Sequence, residues 1–265
     1  MAERDLHDVL RVAEDAALAA GELLLERLGR LRAGEIHSKS AARDLVTEAD
    51  LASERLLVGR LRAAFPEHLI EAEEEVADPA SATGPRWFID PLDGTVNFVH
   101  GLPAFAVSLG LFIDQKPAVG VVHLPRLGET FAAVAGGGAR LNGAPIRVSA
   151  TARLDEAVLA TGFPYRRHEL EHSNLENFGR FFYQVRGLRR MGSAAMDLSY
   201  VAAGRLDGFW ELHLAPHDVA AGALLVREAG GVVSDADGGD DWLRGGHIVA
   251  AGRGLHEAIR ARVVH

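Results

Sequence analysis

The sequence contains no cysteine. It cannot build a disulfide framework or a thiolate metal centre, so its stability must come from packing. Long apolar runs are also missing. The longest aliphatic stretches are only a few residues, such as Ala223-Leu224-Leu225-Val226, against the ~18 residues or more that span a bilayer. No membrane helix is expected. The first residues, Met1-Ala2-Glu3-Arg4-Asp5, lack the basic start and apolar core of a secretion signal. Together with the absent cysteines, this predicts a cytoplasmic protein. Lysine is scarce as well, Lys39 and Lys116 being the only two among 28 basic residues, a skew of the kind genome composition produces. Positive charge is in deficit, with 28 basic against 37 acidic residues and a net charge of −9. Direct nucleic-acid binding, which needs a basic surface, is not expected. A surplus of acids is compatible with phosphate substrates, because carboxylates that hold divalent cations invert the local sign.

What is present is an ordinary globular composition, 265 residues with 48% apolar and 25% charged, far from the signature of disorder. Length alone allows one or two domains. From Leu6 to Leu24 the apolar residues follow helical spacing and stop near Gly29. Thr47-Glu48-Ala49-Asp50 reads as an N-cap with an acid three residues on, opening a second helix that runs to Ala64 before Pro66. Strand-like segments follow at Trp87–Asp90, Phe105–Ile113, Ala118–His123 and Glu129–Ala135, and Asn142-Gly143 predicts a hairpin between 139–141 and 145–148. In the second half, strands at 157–160, 206–211, 231–234 and 247–251 alternate with helices at 169–186, 216–228 and 255–264. Hairpins followed by alternation predict an α+β lobe over about 1–150 joined to an α/β lobe over about 151–265. The two would form one continuous unit over 1–265, with a seam near Ser149 to Asp155.

The sharpest feature is Trp87-Phe88-Ile89-Asp90-Pro91-Leu92-Asp93-Gly94-Thr95-Val96-Asn97-Phe98. It sets two carboxylates three residues apart at the end of an apolar strand. Pro91 fixes a turn, Gly94 permits close backbone approach, and Thr95 can open a helix whose amides face a phosphate. Carboxylates beside such a helix start are what metal-assisted phosphoryl chemistry requires. Taken alone, Asp-Pro and Asp-Gly pairs are also common turn formers. Their company argues against that reading: Glu71, Glu73, Glu74 and Glu75 lie upstream, and Asp218 opens another helix.

These residues resemble the inositol monophosphatases, magnesium-dependent and lithium-sensitive phosphatases of sugars and cyclitols. The motifs are Asp44-Leu45-Val46-Thr47-Glu48-Ala49-Asp50, Ala72-Glu73-Glu74, Asp90-Pro91-Leu92-Asp93-Gly94-Thr95, and Trp210-Glu211 with Asp218-Val219-Ala220-Ala221-Gly222. They occur in family order and cover nearly the whole chain. The stretch from Arg189 to Gly208 looks most like a bacterial, SuhB-like branch, whose members can also associate with the transcription machinery. The resemblance implies the layered αβαβα sandwich of the inositol monophosphatase and fructose-1,6-bisphosphatase type. It implies two or three Mg²⁺ ions: Glu73, Asp90 and the Leu92 carbonyl on the first, Asp90, Asp93 and Asp218 on the second, and a hydrated third near Glu73. Thr95 and Asp50 would help deprotonate the attacking water. The amides of Gly94 and Thr95 would hold the phosphate, and Gly192, Ser193, Ala194 and Glu211 would meet the alcohol. Displacement would be in line, without a phosphoenzyme. The implied substrate is a small phosphate ester, myo-inositol 1-phosphate first, since Thr95-Val96-Asn97-Phe98 resembles the inositol phosphatase branch. Fructose 1,6-bisphosphate, NADP, histidinol phosphate and 3′-phosphoadenosine nucleotides stand as alternatives, and a homodimer is implied.

Two departures from the family pattern stand out. His217 occupies the place of a usual tryptophan before Asp218, and the run Glu71-Ala72-Glu73-Glu74-Glu75 leaves open a slip of the ligand to Glu71 or Glu74. Lys39 falls where the family often has a lysine near the metals. His213 and His217 share the spacing of a helical zinc pair, but Pro216 between them disfavours one helix. Ser193 lacks the glycines of a nucleophile elbow. Gly136-Gly137-Gly138, with no lysine and no helix after it, reads as a turn.

Overall fold

The computed structural model describes residues 5–39 and 45–265. Asp44, the first residue of one motif, lies outside them. Helix α1 (Leu6–Arg27) is capped by Asp5 and buries Val9, Ala13, Ala16, Ala17, Ala20 and Leu24. Two short strands, β1 (Ile36–Ser38) and β2 (Leu45–Thr47), pair antiparallel and lead into α2 (Glu48–Ala64). As expected, Thr47 caps α2 and Asp50 closes the capping box.

A seven-stranded sheet follows in chain order: β3 (Leu69–Ala72), β4 (Arg86–Asp93), then, after the one-turn helix α3 (Thr95–Val99), β5 (Ala106–Ile113), β6 (Lys116–Leu124), β7 (Glu129–Val134), β8 (Gly138–Leu141) and β9 (Ala144–Pro145). Only β3 and β4 pair parallel; the other neighbours are antiparallel. The central strands are apolar on both sides because both sides are covered. Val107, Leu109, Leu111, Val119 and Val121 meet α1 and α2, while Phe88, Val122 and Phe131 face the opposite way.

The second half forms β10 (Val158–Thr161), α4 (Leu175–Phe182), β11 (Gly187–Arg189), α5 (Ala194–Ala202), β12 (Gly208–Leu212), α6 (Pro216–Glu228), β13 (Val232–Ser234), β14 (His247–Ala251) and α7 (His256–Arg260). Its strands make a five-stranded mixed sheet in the order β11-β10-β12-β14-β13. Helices α5 and α6 lie between the two sheets, and α4 and α7 pack on the far side of the smaller one. The layers are therefore α1–α2, large sheet, α5–α6, small sheet, α4–α7: an α+β fold of αβαβα build. Close approach of α6 to the large sheet depends on Gly110 and Gly120. A Cβ on Gly110 would stand 2.7 Å from Ala220 Cβ, and one on Gly120 would stand 2.9 Å from the Ala221 carbonyl.

Several elements differ from expectation. The helix expected over 169–186 is only Leu175–Phe182. Asn174 holds φ at +69° in the left-handed region, and its buried amide donates to Thr161 Oγ1 and the Gly162 carbonyl. This fastening keeps the helix from starting before Leu175. The second arm of the hairpin ends at Pro145, because the chain turns away and Val148 N donates to the Ala229 carbonyl at the end of α6. The last helix is Leu255-capped and covers His256–Arg260, shorter than 255–264. Strands β1, β2, β3 and β11 and helix α5 were not foreseen. Among the described residues no helix is long and apolar enough to cross a membrane.

Candidate active site

The apolar strand β4 carries Asp90 and Asp93 to its end. Pairing with β5 slips between them, so that Asp90 lies opposite Ser108 and Asp93 opposite Ala106. With the irregularity between them, Asp90 and Asp93 act on each other and both feel the Asp218 charge, although strict alternation would set residues three apart on opposite faces. Gly94 then takes φ of +94°, and a Cβ there would stand 2.8 Å from the Ala104 carbonyl. Only glycine suits that position. Thr95 Oγ1 lies 2.9 Å from Asp50 Oδ1 and 3.2 Å from the Leu92 carbonyl, to either of which it can donate. Asp50 Oδ2 accepts from Thr47 N at 2.9 Å and Thr47 Oγ1 at 2.6 Å. Burial pushes the Asp50 carboxyl up to about 6, although the Thr47 and Thr95 hydrogen bonds pull it down. Asn97 ties the following turn to the far half of the chain, its amide donating to the carbonyls of Ala104 and Met191 at 2.6 and 2.9 Å.

The glutamate run separates by role. Glu71 turns to Arg244, with two contacts of 2.7 Å. Glu73 approaches Asp90 and, with Asp93 and Asp218, acts on its charge. Lys39 Nζ bridges Glu73 and Glu74 at 2.8 and 2.6 Å. Burial opposes the lysine's charge, yet the two carboxylates hold its ammonium well above the usual range. The turn itself is gripped by Glu54 of α2, which accepts from the amides of Glu74, Glu75 and Val76 at 2.8, 2.8 and 2.9 Å. Sequence reasoning passed over Glu54, though its place one turn after Asp50 puts both acids on one face of α2. Ser53 of the same helix donates to the Pro91 carbonyl at 2.8 Å.

Asp93 Oδ2 accepts from Ser193 Oγ and from Ala195 N, each at 2.7 Å, at the start of α5. Asp218 Oδ2 accepts from Ala215 N at 2.6 Å, at the start of α6. Burial, followed by Asp218, pushes Asp93 up to about 7. Asp90, buried and pressed by Glu73, Asp93 and Asp218, is raised well above the carboxylate range. Asp218 is raised by burial despite the opposing His217, whose Nε2 lies 3.8 Å from Asp218 Oδ1. The structure thus brings Asp50, Glu73, Asp90, Leu92, Asp93, Thr95 and Asp218 into one neighbourhood. Among the described residues no three acids or histidines already close as a metal-holding group. Glu73 is turned to Lys39, while Asp93 and Asp218 are turned to amides.

Beside the carboxylates opens a cavity of about 330 Å³, lined by Gly192, Ser193, Ala194 and Glu211 as expected and by Arg190 and Asp197, which were not. Burial, then Asp218, pushes Glu211 up to about 8. His213 and His217 do not share a helix, since α6 begins at Pro216 between them. His213 Nε2 instead lies 3.1 Å from the His172 carbonyl. Gly136 and Gly138 form a turn whose amides donate to the Glu228 carboxylate, each at 2.9 Å.

Fold and site together define a class, the layered αβαβα sandwiches with an acid-lined cleft. The inositol monophosphatase family model matches residues 5–265, and the chain belongs to that family. It is 45% identical over 260 residues to the Nus factor SuhB of Pseudomonas aeruginosa, a match covering 96% of this chain and 95% of that protein. It is 43% identical over 260 residues to an inositol-1-monophosphatase of Synechocystis sp., covering 96% and 88%. The solved structure of inositol monophosphatase from Anabaena (Nostoc) sp. has a TM-score of 0.89 at 40% identity, covering 98% of this chain and 96% of that one.

Proposed function

We propose that this protein hydrolyses a small polyol phosphate, myo-inositol 1-phosphate first, to the free alcohol and phosphate. The observation that carries the reading is the gathering of four acids with the Asp50–Thr95 pair beside an open cavity. Crowded, partly buried carboxyls resist ionising together, and a hard divalent cation relieves that repulsion. The four acids and the Leu92 carbonyl all offer oxygen, which suits Mg²⁺ and fits the general magnesium dependence of the family. Glu73, Asp90 and the Leu92 carbonyl would hold one ion, Asp90, Asp93 and Asp218 a second, and Glu73 would adjoin a weaker third. Bound there, the ions supply charge neutralisation at the phosphate and a more acidic attacking water.

The chain's own groups do the remaining work. Thr95 Oγ1 takes up the proton of the attacking water as it gives its own to Asp50 Oδ1, which stands 2.9 Å away. The amides of Gly94 and Thr95 hold the phosphate, so that attack runs in line without a phosphoenzyme. Gly192, Ser193, Ala194 and Glu211 orient the alcohol. Lys39 balances Glu73 and Glu74 when the cleft is otherwise short of positive charge.

The test is phosphate release with Mg²⁺ from inositol 1-phosphate, fructose 1,6-bisphosphate, NADP, histidinol phosphate and 3′-phosphoadenosine 5′-phosphate. Inositol 1-phosphate should be the preferred substrate. EDTA should abolish turnover and Asp93→Asn should lower it at least about 100-fold, the several kcal/mol a catalytic cation supplies. Silence of the folded protein on all five would sink the reading. A second role, association with the transcription machinery in the cytoplasm, is supported by the Nus factor relatives. Retention of RNA polymerase by the inactive Asp93→Asn protein would separate it from catalysis. Assembly as a homodimer belongs to the same reading, supported by the exposed Leu175, Phe182 and Tyr183.

A further inference from the structure

Asp197 stands at the fourth position of α5, its amide donating to the Ser193 carbonyl at 3.0 Å. It lies one turn deeper than Ser193 on the same helix face. Asp197 is 1% exposed, and its Oδ1 is a buried side-chain atom with no hydrogen-bond partner among the described residues. Half-buried acids such as Asp207, Asp93 and Asp218 are satisfied. Asp207 accepts from Ser149 Oγ at 2.6 Å and from Val158 N at 2.7 Å, and Asp93 and Asp218 cap helices. A carboxyl left unpaired in the interior is costly to the fold unless something else completes it. Asp197 lines the same cavity as Ser193, Arg190 and Glu211. Across that cavity the Glu211 carboxyl rests against Gly162, in space that a Cβ would fill.

We propose that Asp197 is a further substrate-binding residue, which together with Glu211 forms a two-carboxyl grip on the hydroxyls of the polyol leaving group. The proposal rests on the phosphatase reading and narrows its substrate class. Two carboxyls offer several acceptor positions to neighbouring ring hydroxyls, and an alcohol without such hydroxyls leaves both unsatisfied. Burial, then Glu211 and Asp93, raises the Asp197 carboxyl well above the usual range, against a smaller pull from Arg190. In its neutral form it both donates and accepts, as a hydroxyl does.

The experiment compares myo-inositol 1-phosphate with p-nitrophenyl phosphate, an aryl ester lacking ring hydroxyls, at saturating Mg²⁺. Asp197→Ala should lower kcat/KM for the inositol ester about tenfold relative to the aryl ester, chiefly through KM, the loss expected for one hydrogen bond. Asp197→Asn, which keeps a donor and an acceptor, should recover most of the ratio. The melting temperature of Asp197→Ala should not fall, because an unpaired buried carboxyl has been removed. If that variant does not fold, Asp197→Ser carries the same comparison. An unchanged ratio, an equal loss on both esters, or an asparagine variant no better than alanine would overturn the proposal. Failure of the unaltered protein on both esters would instead overturn the phosphatase reading, and the proposal with it.

Discussion

Asp50 has no exposed surface, and the two hydrogen bonds from Thr47 hold one of its oxygens while Thr95 approaches the other. It can take the Thr95 proton only when ionised, so turnover should fall as pH drops through the neighbourhood of its raised value, about 6. Thr47→Val removes a hydrogen bond that favours the ionised form. The acid limb of kcat should then move upward by about one pH unit, whereas Thr47→Ser should leave it in place. The valine variant should also lose about 1 kcal/mol of stability with the helix cap. An acid limb that stays at its original pH in Thr47→Val would refute the role given to Asp50. At this scale the sequence was most informative where chemistry is local. Asp90, Asp93 and Thr95 fall within six residues, and Thr47 and Asp50 within four, so strand end, turn and cap could be read together. Asp197 could not be found that way. In one dimension it is a polar residue among helix formers, and only folding reveals that its oxygen has no partner.

Helix α2 unites three parts of the cleft: Asp50 reaches Thr95, Ser53 the Pro91 carbonyl, and Glu54 the amides of residues 74–76. Glu54→Ala would strand three amide donors and release the turn that carries Glu73. It should destabilise the protein by about 1–3 kcal/mol, the loss of part-buried hydrogen bonds to a carboxylate at a turn that water can partly reach. Mg²⁺ binding measured by calorimetry should weaken in parallel, and affinity equal to that of the unaltered protein would show that the turn is held by other contacts. The elements bordering this helix show where sequence patterns suffice. α1, α2 and α6 have long periodic apolar faces, and β5 to β7 have runs of buried residues bounded by turns, so these were legible. β1, β2 and β11 have three residues each and β3 four, too short for periodicity to register. α4 was overextended at its start because the residue that precedes it, Asn174, is held by tertiary bonds to Thr161 and Gly162. α5 is too rich in small residues to show an amphipathic stripe, and it is buried on nearly every side.

The acids of the cleft also shape the stability of the molecule as a whole. Asp50 is raised to about 6, Glu74 and Asp93 to about 7 and Glu211 to about 8, while Asp90, Asp197 and Asp218 are raised too. In the unfolded chain such groups titrate near 4. Between these limits the metal-free folded state holds more protons than the unfolded state, so stability is lost as pH rises. Three histidines work the other way. Burial lowers His123, His247 and His256, which adds stability as pH rises through the region where unfolded histidine deprotonates, near 6.5. That gain is largely complete by about pH 7, so above it the raised carboxyls decide the slope. In EDTA the melting temperature should therefore fall from pH 7 to pH 9. On the phosphatase reading, added Mg²⁺ would replace protons in neutralising the cleft and stabilise by preferential binding to the folded state. Its stabilising shift should be larger at pH 9, where fewer protons compete for the carboxylates, than at pH 7. Scanning calorimetry at both values, with Mg²⁺ and with EDTA, checks this directly. A magnesium shift that is equal at the two values, or larger at pH 7, would mean that the cation does not bind where these acids converge.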